Sequence, residues 1–468
     1  MVAIGAMVLL VGGVMIGDTA SRVVSWLAIV LLAGAAWIVF ANTGTNTAFH
    51  GAFVVDGFAR FTKLLILAGS AFCLLMANEF FALEERQRFE LPILMLLATL
   101  GMMLMVSASS FIALYMGLEL QSLALYVLAA FQRDNLRSTE AGLKYFVLGA
   151  LSSGMLLYGI SLIYGFTGTT EFHAIAVATA QPGADLAHNY GLIFGLVFLI
   201  AGLAFKVGAV PFHMWTPDVY EGSPTPVTAF FVTAAKVAAF ALFIRAVIAP
   251  FPAVAHQWQQ IIVIVSMLSV ILGAVAAIGQ TNIKRLLAYS SIGHVGYALL
   301  GLAAGTQAGI QGMLVYLAYY LVTNLGMFAC IAAMRRDGES VEDIRDLAGL
   351  ARTQPYFALA LGALTFSLAG LPPLAGIFAK IYVFGAAMQA HLYIPAIINI
   401  VASVIGAFYY LRIIQIMYFD EPKRGFDHNI GGGTHALMWG TSAISIFFVV
   451  LPAPLIAIAG QAAHALFP

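Results

Sequence analysis

Apolar stretches long enough to cross a membrane contain four lysines, Lys144, Lys206, Lys236 and Lys380. A cation placed in hydrocarbon costs about 2.5 to 3.5 kcal/mol, so such residues are candidates for function. A desolvated ammonium can lose its proton near neutral pH, whereas a guanidinium effectively cannot. Every arginine is assigned to a loop or a helix end. This choice of residue type indicates proton transfer, and it argues against a scaffold with vestigial charges.

One carboxylate, Glu119, lies well inside a predicted span. A carboxylate in hydrocarbon binds a proton or pairs with a cation, and Lys206 is the natural partner. The alternative for this pair, and also for Lys236, is a static salt bridge that fixes helix packing. Lys144 follows Glu140 at i, i+4 near the start of its span, so an ordinary interfacial ion pair is its alternative.

Two histidines could relay protons. His213 follows Pro211, and His294 ends the run Tyr289-Ser290-Ser291-Ile292-Gly293-His294. Imidazole suits a proton relay and hydroxyls can order water, although each histidine could instead be packed and neutral. A haem with both as axial ligands is disfavoured by the neighbouring lysines. No group of residues has metal-ligand spacing, and the two cysteines stand singly in apolar helices.

Composition sets the class of protein. The chain has 468 residues, of which 62% are hydrophobic and 9% charged, and its mean hydropathy is +0.96. It is an all-α polytopic membrane protein with about fourteen transmembrane helices. The predicted spans are 1–16, 23–40, 60–77, 91–106, 109–131, 142–165, 190–212, 224–249, 258–279, 283–304, 308–334, 355–390, 392–418 and 435–460.

The distribution of basic residues orients these spans. Of the 21 Lys and Arg residues, the four lysines above are intramembrane, and Arg60, Lys63 and Arg245 fall on one side. The other fourteen fall on the second side, which is therefore predicted to be cytoplasmic, with both termini outward. They are Arg22, Arg86, Arg88, Arg133, Arg137, Lys284, Arg285, Arg335, Arg336, Arg345, Arg352, Arg412, Lys423 and Arg424. No basic residue precedes Arg22, which argues against a secretory signal peptide.

Two spans contain helix breakers, Pro211 in the seventh and Pro372-Pro373 in the twelfth. Proline removes a backbone donor, so each span is predicted to be a broken helix. Breaks five helices apart are typical of inverted repeats of five helices. The predicted organisation is three N-terminal helices in 1–90, a first repeat in 91–250, a second repeat in 251–418 and a last helix in 419–468.

The connections are mostly short. Segment 166–189 is predicted to be a long outer loop. Ser340 opens a stretch in which Val341, Ile344, Leu347 and Leu350 recur at helical spacing, which predicts a capped surface helix. Nothing is large enough for a soluble domain, no credible phosphate-binding glycine loop is present, and no nucleic-acid partner is expected.

The segment from Lys206 to Pro226, KVGAVPFHMWTPDVYEGSPTP, followed by Lys236, resembles the core of the antiporter-like subunits of respiratory complex I. The segment from Tyr289 to Tyr297, YSSIGHVGY, is similar to a motif of that group and of the multisubunit cation/proton antiporters. The segment from Leu371 to Lys380, LPPLAGIFAK, resembles subunit N, with lysine where the M-type subunit has glutamate. The resemblance covers the whole chain.

The resemblance implies a subunit of proton-translocating NADH:quinone oxidoreductase in the bacterial inner membrane. It implies no cofactor in this chain, with FMN, iron–sulfur clusters and quinone in partner subunits. The implied partners are an adjacent antiporter-like subunit, small membrane-arm subunits and phospholipids. By motif, Glu119 and Lys206 form a pair, Lys236 links it onward and Lys380 is the outlet. His294 and Lys144 map less directly. The rival interpretation is a sodium or potassium/proton antiporter subunit, which lysine at 380 disfavours because a cation route favours a carboxylate.

Overall fold

The computed structural model describes residues 1–180, 189–427 and 431–467. Its helices are α1 Val2–Ile16, α2 Ser21–Ala41, α3 Gly57–Leu83, α4 Glu90–Ser107, α5 Phe111–Ala129, α6 Leu136–Thr167, α7 Phe172–Thr179, α8 Tyr190–Val207, α9 Thr216–Gly222, α10 Thr225–Phe230, α11 Lys236–Ile248, α12 Ala255–Ile278, α13 Ile283–Ala303, α14 Gln307–Ala333, α15 Leu350–Thr353, α16 Pro355–Ala369, α17 Ala375–Gln389, α18 Tyr393–Phe419, α19 Gly432–Phe447 and α20 Ala453–His464. Two short antiparallel hairpins pair β1 (Asn46–Ala48) with β2 (Phe53–Val55), and β3 (Arg335–Arg336) with β4 (Glu339–Ser340).

Among the described residues, 12 helices are long and apolar enough to cross a membrane. The first helix and the two halves α16 and α17 are shorter and also apolar. With α16 and α17 taken as one broken span, these helices account for the fourteen predicted spans. The prediction of an all-α polytopic membrane protein is confirmed.

The helix ends form two faces. The turns around 84–89, 216–224, 279–282 and 334–349 meet on the face that carries Lys284 and Arg335, here called the basic face. The turns around 42–56, 108–110 and 168–171 meet on the other, here called the opposite face. Gly13, near the end of α1, packs beside Phe89 of the basic face, so α1 starts at the other face. Ala465, just after α20, packs beside Gly57, which follows the turn around 42–56 of the opposite face. The chain therefore begins, and its described part ends, on the opposite face.

Three spans form the centre of the bundle. Nearly every residue is buried in Thr225–Ile248, Ile283–Ala303 and Gln307–Ala333. The peripheral spans α6 and α18 expose large apolar side chains such as Leu151 and Val404. Such a distribution is expected where the outer surface meets lipid and the centre is protein.

Both predicted helix breaks are present. Helix α8 ends at Val207, where Gly208 takes the left-handed conformation with φ 76°. Helix α16 ends at Ala369, Gly370 has φ 77°, and α17 starts at Ala375 after a gap of five residues. The Val210–Pro211 and Pro372–Pro373 peptide bonds are both cis. Glycine at these two positions suits the left-handed helix end.

The predicted surface helix that starts near Ser340 is wrong. The chain instead forms the β3–β4 hairpin, a 3₁₀ turn at Ile344–Leu347 and the short α15. Gly349 interrupts any continuous helix because it has φ 64° and its N–H bonds to the Ile416 carbonyl. The apolar residues of the stretch do face the bundle, with Ile344 fully buried.

Two other segments depart from the predicted pattern. The last span is interrupted near Pro452, so α19 and α20 replace one helix over 435–460. The proline lacks the N–H that a continuous helix needs. The predicted outer loop contains the helix α7, which lies on the opposite face, and its residues 181–188 lie outside the described part.

Candidate functional site

Lys206 lies in the last turn of α8, next to the helix break. Its Nζ donates a hydrogen bond to Ser122 Oγ at 2.7 Å and lies 5.8 Å from the centroid of the Tyr126 ring. Glu119 lies three residues before Ser122 on α5 and so faces the same side of that helix. In the described part of the chain, Glu119 and Lys206 form no ion pair, and Glu119 Oε1 is buried without a hydrogen-bond partner. The predicted partners are therefore brought to one site but are not joined.

Lys236 begins α11 at the centre of the bundle. A π-helical segment, Phe231–Ala235, precedes it directly. Its Nζ donates to Ser291 Oγ on α13 and lies 5.7 Å from the centroid of the Tyr220 ring. Lys236 is 4% exposed. The widened π turn displaces the following side chains relative to a regular helix, and such segments are frequent at functional sites.

His294 connects three helices. Its Nδ1 lies 2.5 Å from the hydroxyl of Tyr316 on α14, and its Nε2 lies 3.1 Å from the hydroxyl of Tyr410 on α18. The Tyr410 hydroxyl also bonds to Ser290 on α13. Both ring nitrogens are thus within hydrogen-bonding distance of a hydroxyl, which is the arrangement that a proton relay needs.

Lys380 lies in α17 and is 5% exposed. Its Nζ donates to the Ala369 carbonyl at 2.8 Å and to Ser403 Oγ at 2.7 Å, and it lies 5.0 Å from the centroid of the Tyr297 ring. Ala369 is the last residue of α16, so the lysine satisfies a carbonyl that the helix break leaves free. The contact also supports the static alternative, in which Lys380 holds the two half-helices together.

Lys144 lies at the basic face. Its Nζ forms ion pairs with Glu140 and Asp218, each at 2.7 Å, and its side chain is 41% exposed. Asp218 also pairs with Arg285 at 2.7 Å. Burial alone would raise the pKa of Asp218, but hydrogen bonds from Lys144 and Arg285 outweigh it and hold that pKa below its ordinary value. These contacts are those of the interfacial alternative.

His213 lies in the segment after the first break, between α8 and α9. It is partly exposed, and its Nδ1 is buried without a hydrogen-bond partner in the described part of the chain. The structure does not join His213 to the lysines by any contact within that part.

A polar cavity opens on the basic face. Its volume is about 980 Å³, and its walls include Glu84, Ser223, Lys284 and Glu342. Lys284 Nζ donates to the Ser223 carbonyl at 2.7 Å and to Glu342 Oε1 at 3.0 Å. Burial raises the pKa of the Glu84 carboxyl, against the opposing effect of Arg335. Water and protons can therefore reach the end of the Thr225–Ile248 span from this face.

A narrow gap separates Lys236 from His294. Tyr316 and Tyr320 complete its lining, together with apolar side chains. The gap brings the lysine of α11 and the histidine of α13 to one space inside the bundle. No group of three or more His, Cys, Asp or Glu residues that could hold a metal ion occurs within 1–180, 189–427 and 431–467.

Several hydroxyl groups of the site were not predicted. Ser122, Ser403, Tyr316 and Tyr410 contact the predicted residues directly. One signal was available for Ser122, because it follows Glu119 at i+3. The tyrosines carried no such signal, since tyrosine is also common in the apolar surface of membrane spans.

Comparison with known protein families gives one match over most of the chain. Residues 108–406 match the family described as NADH:quinone oxidoreductase/Mrp antiporter, transmembrane. NADH-quinone oxidoreductase subunit N of Parvibaculum lavamentivorans is 56% identical over 470 aligned residues, which cover 100% of this chain and 96% of that protein.

Two solved structures have the same fold. A chain of respiratory complex I from Thermus thermophilus with bound aureothin is 32% identical with a TM-score of 0.83, and the match covers 98% of each chain. A chain of the Mrp complex from a Dietzia species is 22% identical with a TM-score of 0.87, covering 100% of this chain and 96% of that one. At that identity the second likeness concerns the fold alone.

Proposed function

The chain belongs to the family of NADH-quinone oxidoreductase subunit N, and we propose that it moves protons across the membrane, driven by quinone reduction elsewhere in the complex. One observation carries the proposal. Three lysines and a histidine follow one another from the end of α8, before the first helix break, to α17, after the second, and each is bonded to a hydroxyl group: Lys206 to Ser122, Lys236 to Ser291, His294 to Tyr316 and Tyr410, and Lys380 to Ser403.

The first step concerns Lys206. Its ammonium donates to Ser122 while Glu119 remains on the same side of α5, so a small movement would exchange the hydroxyl for the carboxylate. A hydrogen bond to a charged group contributes about 1.5 to 3 kcal/mol. Moving one charge against 100 mV requires about 2.3 kcal/mol. An exchange of partner at Lys206 therefore has the size needed to drive release or uptake of one proton.

The onward route runs through the centre of the bundle. From Lys206 the proton passes by bound water to Lys236, which is bonded to Ser291. Lys236 and His294 line the same narrow gap, and the His294 ring contacts Tyr410. Lys380 then receives the proton and releases it. In this scheme each side chain takes up a proton on one side and gives it up on the other, so its protonation state is restored.

The remaining assignments rest on this scheme. The basic face is cytoplasmic and both termini are periplasmic, because basic residues favour the cytoplasmic side. Protons from the cytoplasm then enter through the cavity that Glu84 and Lys284 line. Residues 91–250 and 251–418 form the two inverted repeats. An adjacent antiporter-like subunit, small membrane-arm subunits and phospholipids surround the chain, and FMN, iron–sulfur clusters and quinone belong to partner subunits.

Lys144 and His213 have subordinate roles. Lys144 fixes the connection between α6 and α9 through its ion pairs with Glu140 and Asp218. His213 lies at the first break, where it can exchange protons with water. Within the described part of the chain, neither residue is hydrogen-bonded to the lysines and hydroxyls of the route, so the proposed transfer does not depend on them.

Affinity purification of the tagged full-length chain from its own membrane tests the assignment. We expect a complex that shows the absorbance of flavin and of iron–sulfur clusters and that couples NADH oxidation to proton movement in liposomes. Purification of a complex that exchanges sodium or potassium for protons, and that does not oxidise NADH, would contradict the proposal and support the antiporter alternative.

A further inference from the structure

A second group of buried charges lies outside the route described above. Lys63 on α3, Arg245 on α11 and Asp56 at the start of α3 are 9%, 5% and 8% exposed. We call these three residues the Lys63 cluster. It lies toward the opposite face, where α3 packs along α11. Basic residues near helix ends usually extend to solvent, so burial of this lysine calls for a reason.

The charges of the cluster do not cancel. Arg245 Nη2 donates to Asp56 Oδ1 and Oδ2, each at 2.9 Å, and Asp56 Oδ1 also accepts from the Ala59 N–H at 2.7 Å. Asp56 is therefore paired directly with the arginine. In the described part of the chain, the Lys63 side chain makes neither an ion pair nor a hydrogen bond. One buried positive charge remains whenever Lys63 is protonated.

The cluster lies on the outward side of Lys236. Helix α3 runs antiparallel to the Thr225–Ile248 span, and Cys73 Sγ is 3.4 Å from Thr233 Oγ1. With a rise of about 1.5 Å per residue, Lys63 lies about 15 Å from the level of Cys73, and Lys236 lies about 4.5 Å from that of Thr233. Both displacements point toward the opposite face. Lys63 is thus about 10 Å further along the same helix pair than Lys236.

We propose that Lys63 is a proton-release residue for Lys236, forming an outlet on α3 that lies outside both five-helix repeats. The proposal rests on the proton-transfer function argued above. A neutral Lys63 amine accepts a proton that leaves the Lys236 ammonium through intervening water. The Lys63 ammonium then gives the proton to water at the opposite face, which restores the neutral amine. Burial and the Arg245 guanidinium both disfavour the ammonium and so favour this release, while Asp56 offsets part of their effect.

Substitutions of Lys63 that differ in charge and in their ability to release a proton test the proposal. Lys63→Met removes the titratable group, Lys63→Arg keeps a charge that does not release its proton, and Lys63→His supplies a shorter but titratable base. Arg60→Met is the matched control, because Arg60 lies on the same helix and donates to the exposed carbonyls of Asn42 and Gly44. Each variant is introduced into the intact complex, and NADH-driven proton uptake is measured in inverted membrane vesicles.

We expect a severalfold loss of proton uptake per NADH oxidised in both Lys63→Met and Lys63→Arg, with partial retention in Lys63→His and none of this loss in Arg60→Met. NADH oxidation with an artificial electron acceptor reports assembly. Near-parental pumping by Lys63→Arg would overturn the proposal, and this variant decides the matter even if Lys63→Met fails to assemble. Lys236→Met is measured in parallel. Parental pumping by Lys236→Met refutes the proposed function itself, whereas loss in Lys236→Met with parental pumping in Lys63→Met refutes only the Lys63 outlet.

Discussion

A hydroxyl, not a carboxylate, holds the ammonium group of Lys206. Ser122 accepts its hydrogen bond, while Glu119 keeps one buried carboxylate oxygen without a partner in the described part of the chain. An unpartnered buried carboxylate oxygen is costly, since desolvation is not repaid by a bond. The site therefore contains a second available position for the lysine.

Removal of either charge at this site should impair coupling. In Glu119→Gln the lysine loses its alternative partner, and in Lys206→Ala the carboxylate loses its cation, so each leaves an uncompensated group. We expect assembled complexes whose NADH-driven proton transfer falls by about tenfold or more, the scale of losing a few kcal/mol. The measurement is proton translocation by purified complex in liposomes.

Lys144→Ala is the control for these two variants. Its lysine belongs to a half-exposed ion-pair network, and such pairs contribute about 0.2 to 1 kcal/mol. Proton transfer in Lys144→Ala should therefore stay close to that of the parent. Normal pumping in both Glu119→Gln and Lys206→Ala would reject the pair as functional.

Substitutions at Lys380 distinguish a titratable role of this lysine from a static one. Its ammonium bonds to the Ala369 carbonyl at the end of α16, which a fixed positive charge could do equally well. If the lysine must release a proton, Lys380→Arg should block translocation as severely as Lys380→Ala, and Lys380→His should retain more activity. Translocation in vesicles compares the three variants, and near-parental pumping by Lys380→Arg would favour the static role.

The lysines of the site were predictable because a charge in an apolar span stands out by type alone. Glu119 and His294 were found in the same way. Ser122 and Tyr410 were not, because hydroxyl residues are tolerated throughout membrane spans and gain significance only from what lies opposite them. Burial of Lys63 was missed for a related reason, since a lysine six residues into a helix can also extend to solvent.

At the level of elements, the two helix breaks position the lysines. Lys206 precedes the first break by two residues, whereas Lys380 follows the second and reaches back to the end of α16. Proline and glycine in sequence predicted both breaks. The π-helical segment before Lys236 carries neither residue, and it depends on how the buried helix packs, so no local signal predicted it.

Gly370→Ala tests the geometry of the second break. Gly370 has φ 77°, and an added Cβ would lie 2.7 Å from Lys380 Nζ, so the methyl group would both strain the backbone and displace the ammonium. The strain alone is on the order of 1 kcal/mol. We expect reduced proton translocation together with a lower melting temperature of the purified complex.

Gly385→Ala is the matched substitution within α17. An added Cβ at Gly385 meets no atom within 4 Å, and the residue has no positive φ. This variant should translocate protons as the parent does, and its helix should be slightly more stable. Equal effects of the two substitutions would show that Gly370 does not position Lys380.

For the whole molecule, the two predicted repeats share one kind of close helix packing. An added Cβ on Gly101 would lie 2.5 Å from the Gln121 N atom on α5, and one on Gly273 would lie 2.4 Å from the Gly293 N atom on α13. Small residues thus allow close helix approach at corresponding places, as is common in membrane bundles. The likeness supports the division into 91–250 and 251–418, which stays a prediction.

A buried ion pair joins the start of α3 to α11. Asp56 precedes α3, and Arg245 lies in the last turn of α11, with its guanidinium 5.1 Å from the centroid of the Phe58 ring. The sequence pattern placed Arg245 at a helix end and on the same side as Arg60 and Lys63. It did not indicate the partner, because 189 residues separate the two side chains.

The two halves of this ion pair should not be equivalent when removed. When Arg245 is removed, Lys63 can take up a proton beside Asp56, so Arg245→Met leaves the carboxylate opposite an ammonium with no net charge, whereas Asp56→Asn leaves the buried arginine uncompensated. Asparagine still caps α3, so the loss in Asp56→Asn is one of charge and not of the cap. Breaking a buried pair costs about 3 to 5 kcal/mol. We expect the larger loss of thermal stability of the purified complex in Asp56→Asn, a smaller one in Arg245→Met, and partial recovery when both are combined.

Arg424→Met, which breaks the exposed pair with Asp337, should leave the melting temperature almost unchanged. Greater damage from Arg245→Met than from Asp56→Asn would mean that Lys63 does not take up a proton beside Asp56.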